Sequence, residues 1–328
     1  MKLLIALHHR FELWTAPAWV RERLQKQFPQ IEIVQLPDYS GVTEQIRDAD
    51  AALAWSLRPE QFLAARKLRW IHSTAAAVHQ LMFPELVASD VVVTNSRKVH
   101  GPVVAEQALA LMFAVARKIP AAVRFQQKHV WGQERMWLEG RMPGELQDAT
   151  LGLVGLGSIG REIAKRAAAL GMRVLAVREH PERGGAEGVA AVYGPSQLNE
   201  LLAASDYVVL AAPVTASTQR LMNAARLAQM RPTACLANVG RGVLVDEAAL
   251  ADALRQKKIA AAALDVLEKE PLPPDSPLWD MDNVLITPHT GSVTPRIWER
   301  QYTLISENVR RFLAGEPLLG IVDKNKGY

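Results

Sequence analysis

The sequence predicts an α/β fold with two doubly wound parallel sheets. Three observations predict it. Short apolar runs of strand length alternate with helical patterns along the whole chain, the rhythm of crossover connections rather than of hairpins. One such run leads straight into Gly155-Leu156-Gly157-Ser158-Ile159-Gly160, which opens an Ala-rich helix. Two long helical patterns, at 103–115 and 295–313, mark the junctions between sheet-building regions.

In the first region the strand candidates are 2–7, 32–36, 51–55, 69–72 and 91–94, with helices such as 18–28 and 59–65 between them. In the second they are 151–154, 174–177, 207–211, 234–237, 261–264 and 284–287. The 295–313 pattern is amphipathic, stops at Gly315 and follows the last strand of the second region. The chain is therefore expected to return to the first region, giving one domain of residues 1–98 plus 293–328 and a second, 99–292, inserted into it. Residues 124–149 are polar, Gly-rich and Trp-bearing, with little regular period, and read as an extended loop or arm. An exposed arm of that kind suits a subunit contact; the competing reading is a loop folded on its own domain.

The 328 residues are 49% hydrophobic and 22% charged, a composition of soluble globular proteins and a length sufficient for two domains. The net charge is +4 and the sequence pI about 9.2. The basic residues are dispersed, with no run of five like charges, so nucleic acid is not indicated. A basic pocket for an anionic cofactor and substrate accounts for part of the excess. The single cysteine lies in Ala234-Cys235-Leu236-Ala237 and reads as a buried thiol, not a nucleophile. The apolar start of the chain is too short for a signal peptide, and no stretch approaches a membrane span, which makes the cytoplasm the default location.

The glycine-rich segment is framed by a strand, a helix and a second strand at 174–177, the βαβ unit of about 30 residues in which a dinucleotide pyrophosphate rests on a helix N-terminus. Gly155 would allow the tight turn, Gly157 the approach of phosphate and Gly160 close helix–strand packing; Leu156, Ser158 and Ile159 complete the loop. About 20 residues after the glycines, NAD sites place an acid on the ribose 2′-hydroxyl. Here Arg178 stands there, followed by Glu179. A guanidinium attracts a 2′-phosphate and offers a free hydroxyl no acceptor, which favours NADP over NAD. The alternative is that Arg178 stacks on the adenine while Glu179 takes the ribose.

Ligands of open α/β sheets lie beyond the carboxyl ends of the strands. The residues just after the predicted strands include Arg241 in Asn238-Val239-Gly240-Arg241-Gly242, Asp265 and Glu270 after 261–264, and His289 after 284–287. Each alone reads as structural. Beside a redox cofactor they form a set for hydride transfer to a 2-keto acid. His289 has the pKa to deliver a proton to the carbonyl oxygen, and Glu270 can stabilise its imidazolium. Arg241 can hold the substrate carboxylate with its fixed fork and polarise the carbonyl. Asp265 can accept from the nicotinamide carboxamide.

These motifs, taken in order, resemble the D-isomer-specific 2-hydroxyacid dehydrogenases, a family that includes glyoxylate/hydroxypyruvate reductases and D-3-phosphoglycerate dehydrogenase. The likeness covers nearly the whole chain and is strongest over 92–291. It implies a Rossmann dinucleotide-binding domain inserted into a flavodoxin-like substrate domain, an NADP- or NAD-dependent reductase, and a homodimer. It implies Arg241, Glu270 and His289 as the catalytic triad, Pro213 and Thr218 near the cofactor, and Val239 and Gly240 on the nicotinamide side. The family's substrate-carboxylate loop falls on Ser73-Thr74-Ala75-Ala76-Ala77-Val78-His79, where Ala77 and His79 depart from the usual Gly and Asp. Backbone N–H groups of Ala76, Ala77 and Val78 still suffice for a carboxylate.

No metal is expected: His8 and His9 are adjacent near a strand end, where side chains alternate faces, and His72, His79 and His100 lack ligand spacing. His100 reads as a structural residue at the start of the connecting helix. Arg58 reads as solvated, with a distal anionic substrate group as the alternative. The same likeness extends to co-repressor-type C-terminal binding proteins, so an NAD(P)-sensing regulator is the alternative function; it would want partner surfaces or long disordered tails. Formate dehydrogenase is disfavoured because a Gln is expected where Glu270 stands. The substrates that fit are small 2-keto acids such as glyoxylate, hydroxypyruvate or pyruvate, or a bulkier or aromatic one.

Overall fold

A computed structural model describes residues 1–140, 142–325 and 327. The chain opens with β1 (Lys2–Ala6), α1 (Ala18–Gln27), β2 (Glu32–Gln35), α2 (Val42–Gln45) and β3 (Ala51–Ala54). Next come α3 (Pro59–Ala64), β4 (Trp70–Ser73), α4 (Pro84–Val87), β5 (Val92–Asn95) and α5 (Gly101–Ala116). It continues through α6 (Ile119–Gln127), α7 (Gln133–Leu138), β6 (Thr150–Val154), α8 (Ser158–Ala169), β7 (Arg173–Val177) and β8 (Val189–Tyr193). The last elements are α9 (Leu198–Ala204), β9 (Tyr207–Leu210), α10 (Ala224–Leu227), β10 (Cys235–Asn238), α11 (Glu247–Arg255), β11 (Ala261–Leu264), β12 (Val284–Ile286) and α12 (Ile297–Ala314).

The chain divides into two compact units, Met1–His100 with Val293–Tyr328, and Gly101–Ser292. The first holds a parallel sheet in the order β2-β1-β3-β4-β5, the flavodoxin-like winding. Alternate residues feed opposite faces of this sheet. Leu3, Ile5, Ala51 and Leu53 pack with α1 and α12; Leu4, Ala6, Ala52 and Ala54 pack with Val42, Ile46 and Leu86 on the other side. Cover on both faces is why these strands read as continuous apolar runs.

The second unit holds a sheet in the order β12-β11-β10-β9-β6-β7-β8. Its strand order reverses between β6 and β9, the topological switch point where a Rossmann sheet takes its dinucleotide. Leu151, Leu153, Val174 and Ala176 face α5 and α8, whereas Leu175, Val177, Val208 and Leu210 face the layer that contains α9 and α11. Cys235 is buried on the first of these faces. β8 was absent from the expected strands. It is an edge strand of Val-Ala-Ala-Val-Tyr, only partly buried and paired to β7 through a register shift, so its apolar signal is weak.

Residues 124–149 are not the extended loop expected. They contain the end of α6 and all of α7, with residue 141 outside the described set. Two contacts close this helical hairpin: the Arg135 guanidinium lies 4.9 Å from the Phe125 ring centroid, and Lys118 Nζ donates to the carbonyls of Met136 and Glu139 at 2.6 Å each. The exposure expected of the segment is present, with Trp131 91% and Trp137 58% exposed. Among the described residues, no helix is long and apolar enough to cross a membrane.

Candidate active site

The loop after β6 fits a dinucleotide pyrophosphate. Gly155 has φ +102°, a conformation L side chains rarely adopt, and a Cβ on Gly160 would collide with the Gly155 carbonyl. Around Gly157 a Cβ would meet nothing within 4 Å, so space is open above the backbone where α8 begins. The first turn of α8, Ser158-Ile159-Gly160-Arg161, holds no acid, and its N-terminus has no side-chain cap. That leaves the positive end of the helix to attract phosphate. Leu156 is buried in the core, so only its backbone serves the loop.

Arg178 follows β7 and donates from Nη1 to the Gly184 carbonyl at 2.9 Å. Burial, then the neighbouring charges of Arg161 and Arg183, hold its pKa below the usual guanidinium range, against the pull of Glu182. Arg161 and Arg183 are thus near enough for their charges to act on Arg178. The sequence singled out only Arg178. Nearby at the switch point, Thr218 Oγ1 donates to the Pro213 carbonyl at 2.7 Å and closes the turn after β9.

Loops after β10, β11 and β12 bring the three expected side chains together. His289 Nδ1 lies 2.6 Å from Glu270 Oε2. Glu270 Oε1 accepts from the Leu267 N–H at 2.9 Å, which fixes the carboxylate. A Cβ on Gly242 would collide with the Leu267 carbonyl, so only glycine lets the Arg241 loop lie this close to the Glu270 loop. Arg241 Nη1 donates to the Gly240 carbonyl at 2.7 Å, and Asn238 holds the turn from both sides, donating to the Arg241 carbonyl and accepting from the Gly240 N–H. Val239 and Gly240 are both buried, Gly240 close against Leu244 and the Ala212 carbonyl.

The electrostatics follow from these contacts. The hydrogen bond to Glu270 raises the His289 pKa above its ordinary value, while burial and the Arg241 charge oppose it. For Glu270, burial alone would raise the pKa. The His289 bond, the Leu267 N–H and the charges of His289 and Arg241 outweigh it and hold the carboxyl below its usual range. Burial depresses the Arg241 pKa, and Glu270 opposes this.

Asp265 is 3% exposed and more engaged than the sequence indicated. Its Oδ1 accepts from Thr287 Oγ1 (2.6 Å), the Thr290 N–H (3.1 Å) and Gln107 Nε2 (3.2 Å), and its Oδ2 from the Gly291 N–H (2.9 Å). Gln107 and the structural side of Asp265 had no sequence signal, because a single polar residue inside an apolar helix does not reveal what it meets.

In the other unit, the loop after β4 is held through its carbonyls. Gln301 Nε2 donates to Thr74 O at 2.7 Å, Asn95 Nδ2 to Ala76 O at 2.8 Å, and the Ser96 N–H to Ala75 O at 3.2 Å. Ala76 and Ala77 are partly exposed, whereas the Val78 side chain packs in the core. His100 is buried, its Nε2 3.4 Å from Thr74 O. Arg58 is exposed and lies 3.5 Å from Glu60.

A glycine-loop Rossmann sheet with a His–Glu pair and an Arg on its carboxyl edge defines a nicotinamide-dependent oxidoreductase. Comparison with known proteins gives the family. The model of the "D-isomer specific 2-hydroxyacid dehydrogenase, NAD binding domain" matches residues 109–291. A glyoxylate reductase of Korarchaeum cryptofilum is 34% identical over 284 residues, 85% of this chain and 84% of that protein. A D-isomer-specific 2-hydroxyacid dehydrogenase of Xanthobacter autotrophicus Py2, solved with NADPH and MES, superposes with TM-score 0.83 at 33% identity, covering 100% of this chain and 99% of that one. An NADPH-dependent glyoxylate/hydroxypyruvate reductase of Sinorhizobium meliloti, solved with NADP and sulfate, gives TM-score 0.82 at 27% identity, with 100% and 99% coverage. The chain belongs to the D-isomer-specific 2-hydroxyacid dehydrogenase family. It is an NAD(P)-dependent oxidoreductase.

Proposed function

We propose that this enzyme reduces a small 2-keto acid to the D-2-hydroxy acid, with Arg241, Glu270 and His289 as its catalytic residues and NADPH preferred to NADH. The observation that carries the reading is the 2.6 Å contact between His289 Nδ1 and Glu270 Oε2, with Arg241 close enough to shift both pKa values. A dihydronicotinamide bound here would supply the hydride for the carbonyl carbon. Arg241 holds the substrate carboxylate with its fork and polarises the carbonyl; its bond to Gly240 O fixes the guanidinium. By the family resemblance, the loop of Ala76, Ala77 and Val78 is a further candidate for carboxylate binding through its backbone N–H groups. Negative charge grows on the carbonyl oxygen, and protonated His289 neutralises it. With Nδ1–H committed to Glu270, Nε2–H is the donor left for the substrate oxygen. His289 ends neutral and regains its proton from solvent.

The backbone of 155–160, with Pro213, Thr218, Val239 and Gly240, would hold the dinucleotide. Asp265 Oδ2 carries one of the hydrogen bonds above and retains a lone pair for the carboxamide. Arg178, flanked by Arg161 and Arg183, suits a dianionic 2′-phosphate better than a hydroxyl. The NADPH and NADP in the two similar structures support the same choice. The exposed Trp131, Trp137 and Leu138 of the α6–α7 segment support a homodimer formed through the unit 101–292. Initial rates with glyoxylate, hydroxypyruvate and pyruvate, each with NADPH and NADH, test the reading. Turnover of at least one acid, faster with NADPH, is expected; no turnover of any 2-keto acid, bulky and aromatic ones included, overturns it.

A further inference from the structure

We propose that Gln107, on the second turn of α5, is a positioning residue for His289, acting through Thr287 and Asp265; this rests on the reading of His289 as the proton donor. An amide NH2 has two donors. The acceptors that Gln107 Nε2 meets, Thr287 Oγ1 at 2.9 Å and Asp265 Oδ1 at 3.2 Å, lie 2.6 Å from each other, so a single N–H points between them and is shared. Both partners fix the amide's orientation, because the carboxylate accepts only. The Thr287 hydroxyl lies 2.6 Å from the same Oδ1 and must donate to it, so its own lone pair is left to receive Gln107. The three side chains form a closed triangle.

The triangle governs the loop that carries His289. Asp265 binds residues on both sides of it: Thr287 before, and the N–H groups of Thr290 and Gly291 after. The Asp265 carbonyl also accepts from the His289 N–H at 2.9 Å. His289 itself has φ +53°, a left-handed conformation that a histidine keeps only where its surroundings hold it. Asp265 and Thr287 follow β11 and β12, so their mutual contact is local to one edge of the sheet. Gln107 is the side chain of this cluster that comes from a helix. That helix is anchored by buried Val104, Ala105, Ala108, Leu111 and Met112. Gln107 thus ties a conformationally costly loop to a packed element. Without it the Thr287–Asp265 pair loses its tie to the helix, the loop loosens, and the His289–Glu270 contact is populated for less of the time.

The charged groups facing His289 are Glu270 and Asp265 on the β11 side and Arg241 on the β10 side; Gln107 itself is neutral. Replacing it by a neutral residue therefore alters His289 through geometry and not through a charge. The test uses the full-length enzyme and two variants, Gln107→Met and Gln107→Glu. Gln107→Met keeps the length and removes both donors. Gln107→Glu keeps the shape but, when ionised, sets an acceptor against an acceptor.

For Gln107→Met, kcat of keto-acid reduction should fall roughly ten- to a hundredfold, as for a slightly misplaced catalytic group. KM for NADPH should stay within about twofold, since a factor of ten would be needed for a 1.4 kcal/mol change in binding. The basic limb of the kcat profile should move to lower pH, and NMR titration of the His289 ring should show the same move. Gln107→Glu should lose at least as much, and it keeps the test decisive if the Met variant does not fold. Unchanged kcat and an unshifted His289 titration in the folded variants would overturn the proposal. His289→Ala, assayed alongside, separates the two ideas. If it is inactive while the Gln107 variants are normal, only the role of Gln107 falls; if it remains active, the reading of His289 falls and the proposal with it.

Discussion

His289 and Glu270 meet at 2.6 Å, Nδ1 to Oε2, although they follow different strands and stand 19 residues apart in sequence. The contact sets the tautomer of the imidazole and, on the proposed mechanism, leaves Nε2 for the substrate. It also makes the proton inventory of the site depend on Glu270.

That dependence has a sign. The folded-state pKa of His289 is raised above 6.5, so the protonated form persists to higher pH than in a free imidazole. Keto-acid reduction, which needs the protonated ring, should be constant below the raised pKa and fall as pH rises through it. The reverse reaction should show the opposite limb. Glu270→Gln removes the carboxylate, so the basic limb of the reduction profile should move to lower pH. A pH–rate profile of the variant that overlays the wild type would contradict this.

The same pair bears on folding. A raised histidine pKa contributes stability that is full below the unfolded value near 6.5 and is lost as pH rises through the folded pKa. Glu270, whose folded pKa is depressed, contributes above its unfolded value near 4.5 and loses this as pH falls through the folded pKa. The pair therefore stabilises most between those limits. Denaturant melts of wild type and Glu270→Gln should differ most near pH 5.5 and less at alkaline pH, where only the Leu267 N–H and Arg241 still favour the ionised carboxylate.

Arg241→Lys should raise KM for the keto acid and lower kcat together. An ammonium keeps the charge but loses the planar two-point fork and the hold on Gly240 O. Steady-state kinetics in which both constants stay within about twofold, far from the tenfold of 1.4 kcal/mol, would mean that the carboxylate binds elsewhere.

Arg178→Asp should shift preference from NADPH toward NADH. The substitution replaces a charge-assisted donor, worth about 1.5–3 kcal/mol, by a group that repels a 2′-phosphate. Loss of the charge-assisted bond alone corresponds to roughly ten- to a hundredfold in kcat/KM for NADPH. A wild-type enzyme with higher kcat/KM for NADH would instead assign the ribose to Glu179.

Light scattering at micromolar concentration should report a mass near twice the 36.1 kDa of the chain. Trp131→Ser with Trp137→Ser should shift the population toward the monomer, because these rings supply exposed apolar area on the α6–α7 segment. A wild-type monomer would leave that segment without the proposed partner.

Much of the fold was legible because buried parallel strands announce themselves as unbroken apolar runs, as in Leu3–Leu4–Ile5 and Val208–Val209–Leu210. The glycine loop and the residues after β10, β11 and β12 were legible for a different reason: the chemistry of a doubly wound sheet collects at the carboxyl ends of its strands. What escaped lacked a local signature. β8 is a half-exposed edge strand rich in alanine. The α6–α7 hairpin depends on Arg135 over Phe125 and on Lys118 reaching two carbonyls, contacts made across a turn. Gln107 meets Asp265 and Thr287 across sequence separations of 158 and 180 residues, only once the chain has folded back.

The central claim is that His289 supplies the proton for reduction of a 2-keto acid. Its most direct test is kcat of purified His289→Ala against wild type, with NADPH and the best keto acid, below the pH at which the wild-type basic limb begins. Loss of a positioned general acid predicts a fall of roughly 10²–10⁴-fold with NADPH binding retained. A variant that keeps near-normal kcat under those conditions would contradict the account.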